Sequence, residues 1–231
     1  MRAILLSAGL GNRLRPLTDE MPKCLAPVRG RALLDIWLEN LTRTGIGPFL
    51  VNTGHLSEQV EAHVSSGPFR HLGTLVHEPE LLGTAGTLLA NLAFYGGQDG
   101  MLLHVDNFCS PDMGAFIGAH ESRPAGCLMT MMTFRTDAPS ACGIVELDER
   151  GVVVGFHEKV DSPPDNLANG AIYILSSELM TELATKHGHV RDFSTEVVPA
   201  FLGRILAYET PGPFIDIGTP DAYAKANRTN L

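Results

Sequence analysis

Positive charge is scarce in this chain. Its 17 lysines and arginines stand against 26 aspartates and glutamates, for a formal net charge of −9. So acidic a surface is repelled by nucleic-acid backbones and anionic lipid, which argues against nucleic acid or membrane as a partner but leaves room for a local basic pocket. Cysteine is equally sparse. Cys24, Cys109, Cys127 and Cys142 show no Cys-x-x-Cys spacing, so neither a zinc site nor a redox pair is expected, and the four read as reduced structural thiols. The nine histidines contain no His-Glu-x-x-His and no ligand-like cluster. No apolar run approaches the roughly 18 residues that a bilayer span requires. The opening "MRAILLSAGLG" is too short in its apolar part for a signal peptide, and its Gly-x-Gly suits a strand-to-loop turn better than a cleavage site. A cytoplasmic location is the expectation.

What is present is an alternation of short apolar runs and amphipathic stretches, the pattern of an α/β fold with a mostly parallel, mixed sheet. Residues 3–7, 49–54, 74–79 and 100–108 read as strands, the last apolar on both faces and so central to the sheet. Helices are expected over 33–45, ending on glycine, over 57–66 with Ser57 as its cap, and over 85–95. Beyond residue 125 the pattern changes. Strands are expected at 127–134, at 143–159 as two strands around an Asp-Glu-Arg-Gly turn, at 170–176, and in "ILAYE" and "FIDIG". Short helices are expected at 194–202 and 220–228. The 231 residues read as one domain, with a nucleotide-type half over 1–125 and a mixed half over 126–231.

The scarce cations are not spread evenly. "LSAGLGNRLRPLTDEMPKCLAPV", residues 6–28, holds Arg13, Arg15 and Lys23, and Arg29 and Arg31 follow at once. Gly9 and Gly11 let the backbone turn and bring N–H groups close to phosphate oxygens. Arg13 can add a planar bidentate fork, and Lys23 a mobile point charge. Pro16 and Pro22 lower the entropy lost when such a loop orders around a ligand. Gathered cations repel one another unless an anion holds them, so a polyphosphate ligand is the economical explanation; a glycine turn with solvated arginines is the plain alternative. Neither common nucleotide loop is present: GxxxxGK[ST] is absent, and GxGxxG fails because residue 14 is Leu.

The stretch resembles the pyrophosphorylase signature of the sugar-1-phosphate nucleotidylyltransferases, Gly-x-Gly-x-Arg-x-x-Pro-x-Thr followed by Pro-Lys, met here by Gly9, Gly11, Arg13, Pro16, Thr18, Pro22 and Lys23. Asn12 stands where family members often have Thr. The resemblance runs along essentially the whole chain, and it implies a Rossmann-like core. "LLGTAGTLL" (81–89) is similar to the family's loop against the nucleobase, which makes Gly83 and Thr84 base contacts and joins them to Ala8, Gly9, Gly11, Asn12, Arg13 and Lys23 as the implied nucleotide-binding residues. "HVDNF" (104–108) and "FIDIGTPDAYAKAN" (214–227) are similar to the segments carrying two metal-binding aspartates, here Asp106 and Asp216. Val105 replaces the usual glycine before the first. "GFHEKV" (155–160) and "LANGAIYIL" (167–175) are similar to the sugar-phosphate segments, so the resemblance assigns Gly143, Glu158, Lys159, Asn169 and Gly170 to that ligand, with Val160 in place of a proline.

The implied reaction joins a nucleoside triphosphate to a sugar 1-phosphate and gives an NDP-sugar and pyrophosphate. Its nucleophile, a phosphate oxygen, is ionised at neutral pH, so no general base is needed. Catalysis would rest on positioning and charge stabilisation by Arg13, Lys23, Lys159 and a Mg²⁺ on Asp106 and Asp216. Within the family the chain most resembles members that use GTP with mannose- or manno-heptose-1-phosphate, with dTTP, UTP and CTP left open. A glycosyltransferase using a ready-made NDP-sugar is the alternative enzyme class, although it usually presents Asp-x-Asp and residue 108 is Phe. A catalytically dead sensor is a third. Arg15, Arg29 and Arg31 read as surface or subunit contacts, a homo-oligomer stays open, and no appended acyltransferase or β-helix domain is expected.

Overall fold

The computed structural model describes residues 1–230, which divide into two compact units. One comprises Met1–Leu81, Leu103–Ser110 and the segment from Gly212 onward; the other comprises Leu82–Leu102 and Pro111–Pro211.

In the first unit the strand Arg2–Leu6 pairs in parallel with Phe49–Thr53, which pairs in parallel with Gly73–His77. Ala3, Ile4, Leu5, Phe49 and Val51 are fully buried, as expected for strands covered on both faces. The helix Leu33–Arg43 follows from the recurrence of Leu34, Trp37, Leu38 and Leu41 at helical spacing, all buried on one stripe. Gly45, at φ +74°, takes the chain out of it in the left-handed conformation that glycine adopts without penalty. The helix Ser57–Ser66 is where the sequence places it, but Ser57 is not its cap. Leu56 holds the cap position at φ 52° with no side-chain capping bond, and Ser57 is the first helical residue.

The run 100–108 is not one strand. Gly100–His104 ends as the N–H of Val105 donates to the Leu6 carbonyl (3.2 Å). The chain turns at Val105 and Asp106, then resumes as Asn107–Cys109, antiparallel to Phe214–Asp216. The break is invisible to hydropathy because Val105 is as buried as the strand residues before it.

In the second unit Met129–Arg135 pairs antiparallel with Leu167–Leu175 and in parallel with Ile205–Glu209. Gly143–Leu147 and Val153–Glu158 form the expected hairpin. Its turn is closed by Asp148, which accepts from the N–H groups of Arg150 and Val152 (both 2.9 Å), with Gly151 at φ +76°. The expected helix at 85–95 is Thr84–Ala90 followed by a 3₁₀ turn at Leu92–Tyr95. That at 194–202 is a wide turn, Phe193–Val197, running into Val198–Ala200. The helix Ser177–Lys186, which the sequence reading did not place, buries Leu179, Met180 and Leu183; the Ser176 hydroxyl accepts from the Leu179 N–H. Parallel pairing in the first unit and mixed pairing in the second make this the expected α/β class with a mixed sheet.

Candidate functional site

The glycine loop of the first unit is a wound structure rather than an open coil. Gly11 (φ +65°) starts a 3₁₀ turn over Asn12–Leu14, and its carbonyl accepts from the Leu14 N–H and from the Thr18 hydroxyl, both at 2.8 Å. A Cβ on Gly11 would lie 2.7 Å from Cγ2 of buried Thr18, so the Gly and Thr of the motif fit each other. The His55 ring bonds the Thr18 carbonyl (2.8 Å) and fixes the next turn. Pro22 then leads into the turn Lys23–Leu25. Arg15 faces away into an exposed pair with Asp19, the surface role expected of it.

The loop walls a cavity of about 370 Å³ lined by Ser7, Gly9, Gly11, Asn12, Arg13, Lys23, Cys24, Val105, Asp106 and Gly218, among others. Ala8 is buried beside them. The pairing of Asp216 with Asn107 sets the two aspartates side by side although they lie far apart in sequence; the Ile217 N–H also donates to the Asp106 carbonyl (3.0 Å). Both carboxylates converge on one ammonium. Lys23 Nζ donates to Asp106 Oδ2 at 2.7 Å and to Asp216 Oδ1 at 3.0 Å. Arg13 approaches the other oxygen of Asp216 at 3.5 Å. Gly218 permits this, since a Cβ there would sit 2.8 Å from the Arg13 guanidinium.

Burial disfavours the Asp106 carboxylate, but the charges of Lys23 and His104 and the Lys23 hydrogen bond hold its pKa below the ordinary value. Burial likewise disfavours the Lys23 ammonium, yet Asp106 and Asp216 raise it above its usual value. Cys24 behaves oppositely: burial pushes its thiol up to about 12, so it is cavity wall rather than nucleophile.

The donor set suits a hard divalent cation. Two carboxylates already share one positive charge, and among the described residues no group of three or more His, Cys, Asp or Glu is placed to hold an ion. Asp106 and Asp216 would supply two ligands and leave the rest to phosphate and water, as is usual for Mg²⁺.

The residues assigned to the sugar phosphate lie in the second unit and use a different chemistry. Asn169 stands at the start of an irregularity in its strand, where the register shifts before Tyr173 and Ala171 adopts φ 52°; such bulges re-aim side chains. Its Nδ2 donates to the Tyr173 hydroxyl (2.7 Å) and to Ser194 Oγ (3.4 Å), and its Oδ1 accepts from the Ala171 N–H (2.9 Å). The remaining lone pair of Oδ1 is what it can offer a ligand. Gly170 follows directly in the same strand. Glu158 ends its strand and pairs with exposed Lys159 at 3.1 Å. Lys159 itself has φ 50°. Gly143 is required beneath them: a Cβ there would lie 2.5 Å from the Phe156 ring and 2.6 Å from Glu158 Oε2.

Gly83 and Thr84 are tied down by their own unit. Gly83, at φ +84°, lets the Arg191 carbonyl come so close that any Cβ would collide with it, and the Thr84 hydroxyl accepts from the Phe193 N–H (2.7 Å). Several residues of these sites were missed from sequence: Ser7 and Cys24 in the cavity wall, Tyr173 and Ser194 around Asn169. His104 is a further case. It was passed over with the other histidines, yet its Nε2 is buried without a hydrogen-bond partner, two residues from Asp106.

Comparison with known proteins places the whole chain. The chain is 29% identical over 231 residues to a mannose-1-phosphate guanylyltransferase of Mycobacterium tuberculosis, a match covering 97% of this chain and 63% of that protein. It is 27% identical over 267 residues to glucose-1-phosphate adenylyltransferase 2 of Vibrio parahaemolyticus, covering 97% and 65%. The chain thus spans just under two thirds of the length of these relatives. The crystal structure of HddC from Yersinia pseudotuberculosis complexed with GMP-PN shares the fold, with a TM-score of 0.81 at 23% identity over 98% of both chains. The family model described as nucleotidyl transferase matches residues 2–231. With its glycine loop, paired aspartates and full-length match, the chain belongs to the nucleotidyl transferase family.

Proposed function

We propose that the protein transfers a nucleotidyl group from a nucleoside triphosphate to a sugar 1-phosphate, releasing pyrophosphate. The observation that carries this is the convergence of Asp106 and Asp216 on Lys23 in a cavity walled by the Gly9–Arg13 loop. An oxygen of the sugar phosphate attacks the α-phosphorus, and the bond to the pyrophosphate oxygen breaks. Mg²⁺ on the two aspartates would neutralise charge developing on the phosphates. Backbone N–H groups of the loop and the Arg13 guanidinium would hold the triphosphate, and Lys23 would follow the departing pyrophosphate. Lys159 would take the phosphate of the sugar, while Glu158 and Asn169 bond its hydroxyls. No proton need be removed from the nucleophile, and the assigned residues include no nucleophile–histidine pair.

GTP with a mannose- or heptose-type 1-phosphate is the favoured substrate pair. It is supported by the Mycobacterium relative's name and by the guanine nucleotide held by the Yersinia structure. The Vibrio adenylyltransferase, at nearly equal identity, marks the base as the more variable choice. The test is pyrophosphate release with Mg²⁺, crossing GTP, ATP, dTTP, UTP and CTP against glucose-, mannose-, N-acetylglucosamine- and manno-heptose-1-phosphate. Release requiring one member of each set supports the proposal. Tight NDP-sugar binding with no release anywhere in the panel would replace it with a sensor.

A further inference from the structure

The same Lys23 that is assigned to the phosphates is committed elsewhere in this structure. Its side chain is 11% exposed, and its ammonium lies 2.7 and 3.0 Å from Asp106 and Asp216. It occupies one oxygen of each carboxylate. Arg13, the other phosphate cation, leans on the second oxygen of Asp216 at 3.5 Å. We propose that Lys23 is a built-in counter-ion that keeps the carboxylate pair closed to a divalent cation until a nucleotide offers its ammonium a phosphate to move to.

Two features of the site support this. Two carboxylates so close would repel each other, and Lys23 relieves that repulsion without a metal. The pair also has no third His, Cys, Asp or Glu placed to join it among the described residues, so a free ion would have to break two charge-assisted hydrogen bonds with little in return. A metal-bound triphosphate changes the balance. It supplies phosphate ligands for the ion and, at once, new partners for Lys23 and Arg13, so every charge in the cavity exchanges one partner for another. Metal and nucleotide should therefore bind interdependently, beyond their association in solution. The phosphate half of this exchange rests on the proposed function; the competition between Lys23 and the metal does not.

The test is Mn²⁺ binding to the nucleotide-free protein, followed by electron paramagnetic resonance, in wild type, Lys23→Met and Lys23→Arg. Removing the competitor should tighten Mn²⁺ binding in Lys23→Met by about fivefold or more, the lower end of ordinary site-to-site coupling. Lys23→Arg, which keeps the charge, should stay near wild type. Mn²⁺ alone should also raise the melting temperature of Lys23→Met more than that of wild type. Equal or weaker Mn²⁺ binding in a folded Lys23→Met overturns the proposal. If that variant does not fold, acylation of lysines in the wild type, read by mass spectrometry, serves instead: Mn²⁺ should speed labelling of Lys23, and unchanged labelling overturns the idea. Because these readouts need no turnover, metal competition without pyrophosphate release would sink the nucleotidyl-transfer reading and leave this one standing. The reverse pattern would do the opposite.

Discussion

The two candidate binding regions are built on opposite electrostatic plans. In the first unit, formal charges meet formal charges: two carboxylates, an ammonium and a guanidinium. In the second, apart from the exposed Glu158–Lys159 pair at a strand end, Asn169, Tyr173 and Ser194 are joined by neutral, directional hydrogen bonds in a buried setting where burial raises the Tyr173 hydroxyl well above its usual pKa. Charge suits a ligand that is itself highly charged, as the proposed triphosphate is. Neutral bonds suit hydroxyls, whose positions must be told apart. The second unit even keeps a histidine uncharged. His120 is buried between the Thr130 hydroxyl (2.8 Å) and Asp99 (3.3 Å), and burial, helped by Arg123, lowers its pKa to about 4.

The comparison predicts its own failures. Asp106→Asn should have the largest effect: pyrophosphate release should fall by about 10²-fold or more, with circular dichroism unchanged. Activity within a few-fold of wild type would mean that charge is not what the first region supplies. Next comes Gly83→Ala, which puts a methyl group against the Arg191 carbonyl at φ +84°. Urea unfolding should show a loss of about 1–3 kcal/mol. A smaller effect follows for Asn169→Ala. Its KM for the sugar phosphate should rise about tenfold, the cost of one or two lost hydrogen bonds, while KM for the nucleotide stays put. Parallel rises in both would erase the division of labour.

The smallest effect is one of pH. Because the folded pKa of His120 lies below the unfolded value of about 6.5, the unfolded chain takes the proton first. Stability should be full above pH 6.5 and decline as pH falls toward 4, by an amount on the order of 1–3 kcal/mol. Urea titrations between pH 7 and 4.5 should show a shallower decline in His120→Gln.

Much of this was legible in the sequence because the signals are local. The helix Leu33–Arg43 follows from one apolar stripe, the hairpin turn from Asp148 and Gly151, and the terminal helix Pro220–Arg228 from its composition. The cavity residues Gly9, Gly11, Arg13 and Lys23 also lie within one short stretch. What was not legible depends on distant partners. The break at Val105–Asp106 is set by pairing with Phe214–Asp216. The engagement of Lys23 by both aspartates is likewise a long-range contact, and so is the seat of Asn169 on Ser194. Ser57 failed as a cap because a turn ending in Leu56, not a side-chain oxygen, starts that helix.

The pairing of Asn107–Cys109 with Phe214–Asp216 also sets a clock on the protein's birth. A ribosome makes the glycine loop and Lys23 early, Asp106 before the midpoint, and Asp216 only after the whole stretch from Pro111 to Pro211 has been translated. Until then Lys23 has one carboxylate in place of two, and Trp37, whose indole donates to the Asn107 carbonyl (2.9 Å), covers a strand with no mate. The carboxylate pair is therefore completed late, with only the terminal helix Pro220–Arg228 still to follow. A chain broken anywhere in that long middle stretch keeps every residue of the glycine loop and never acquires the second carboxylate that Lys23 bonds.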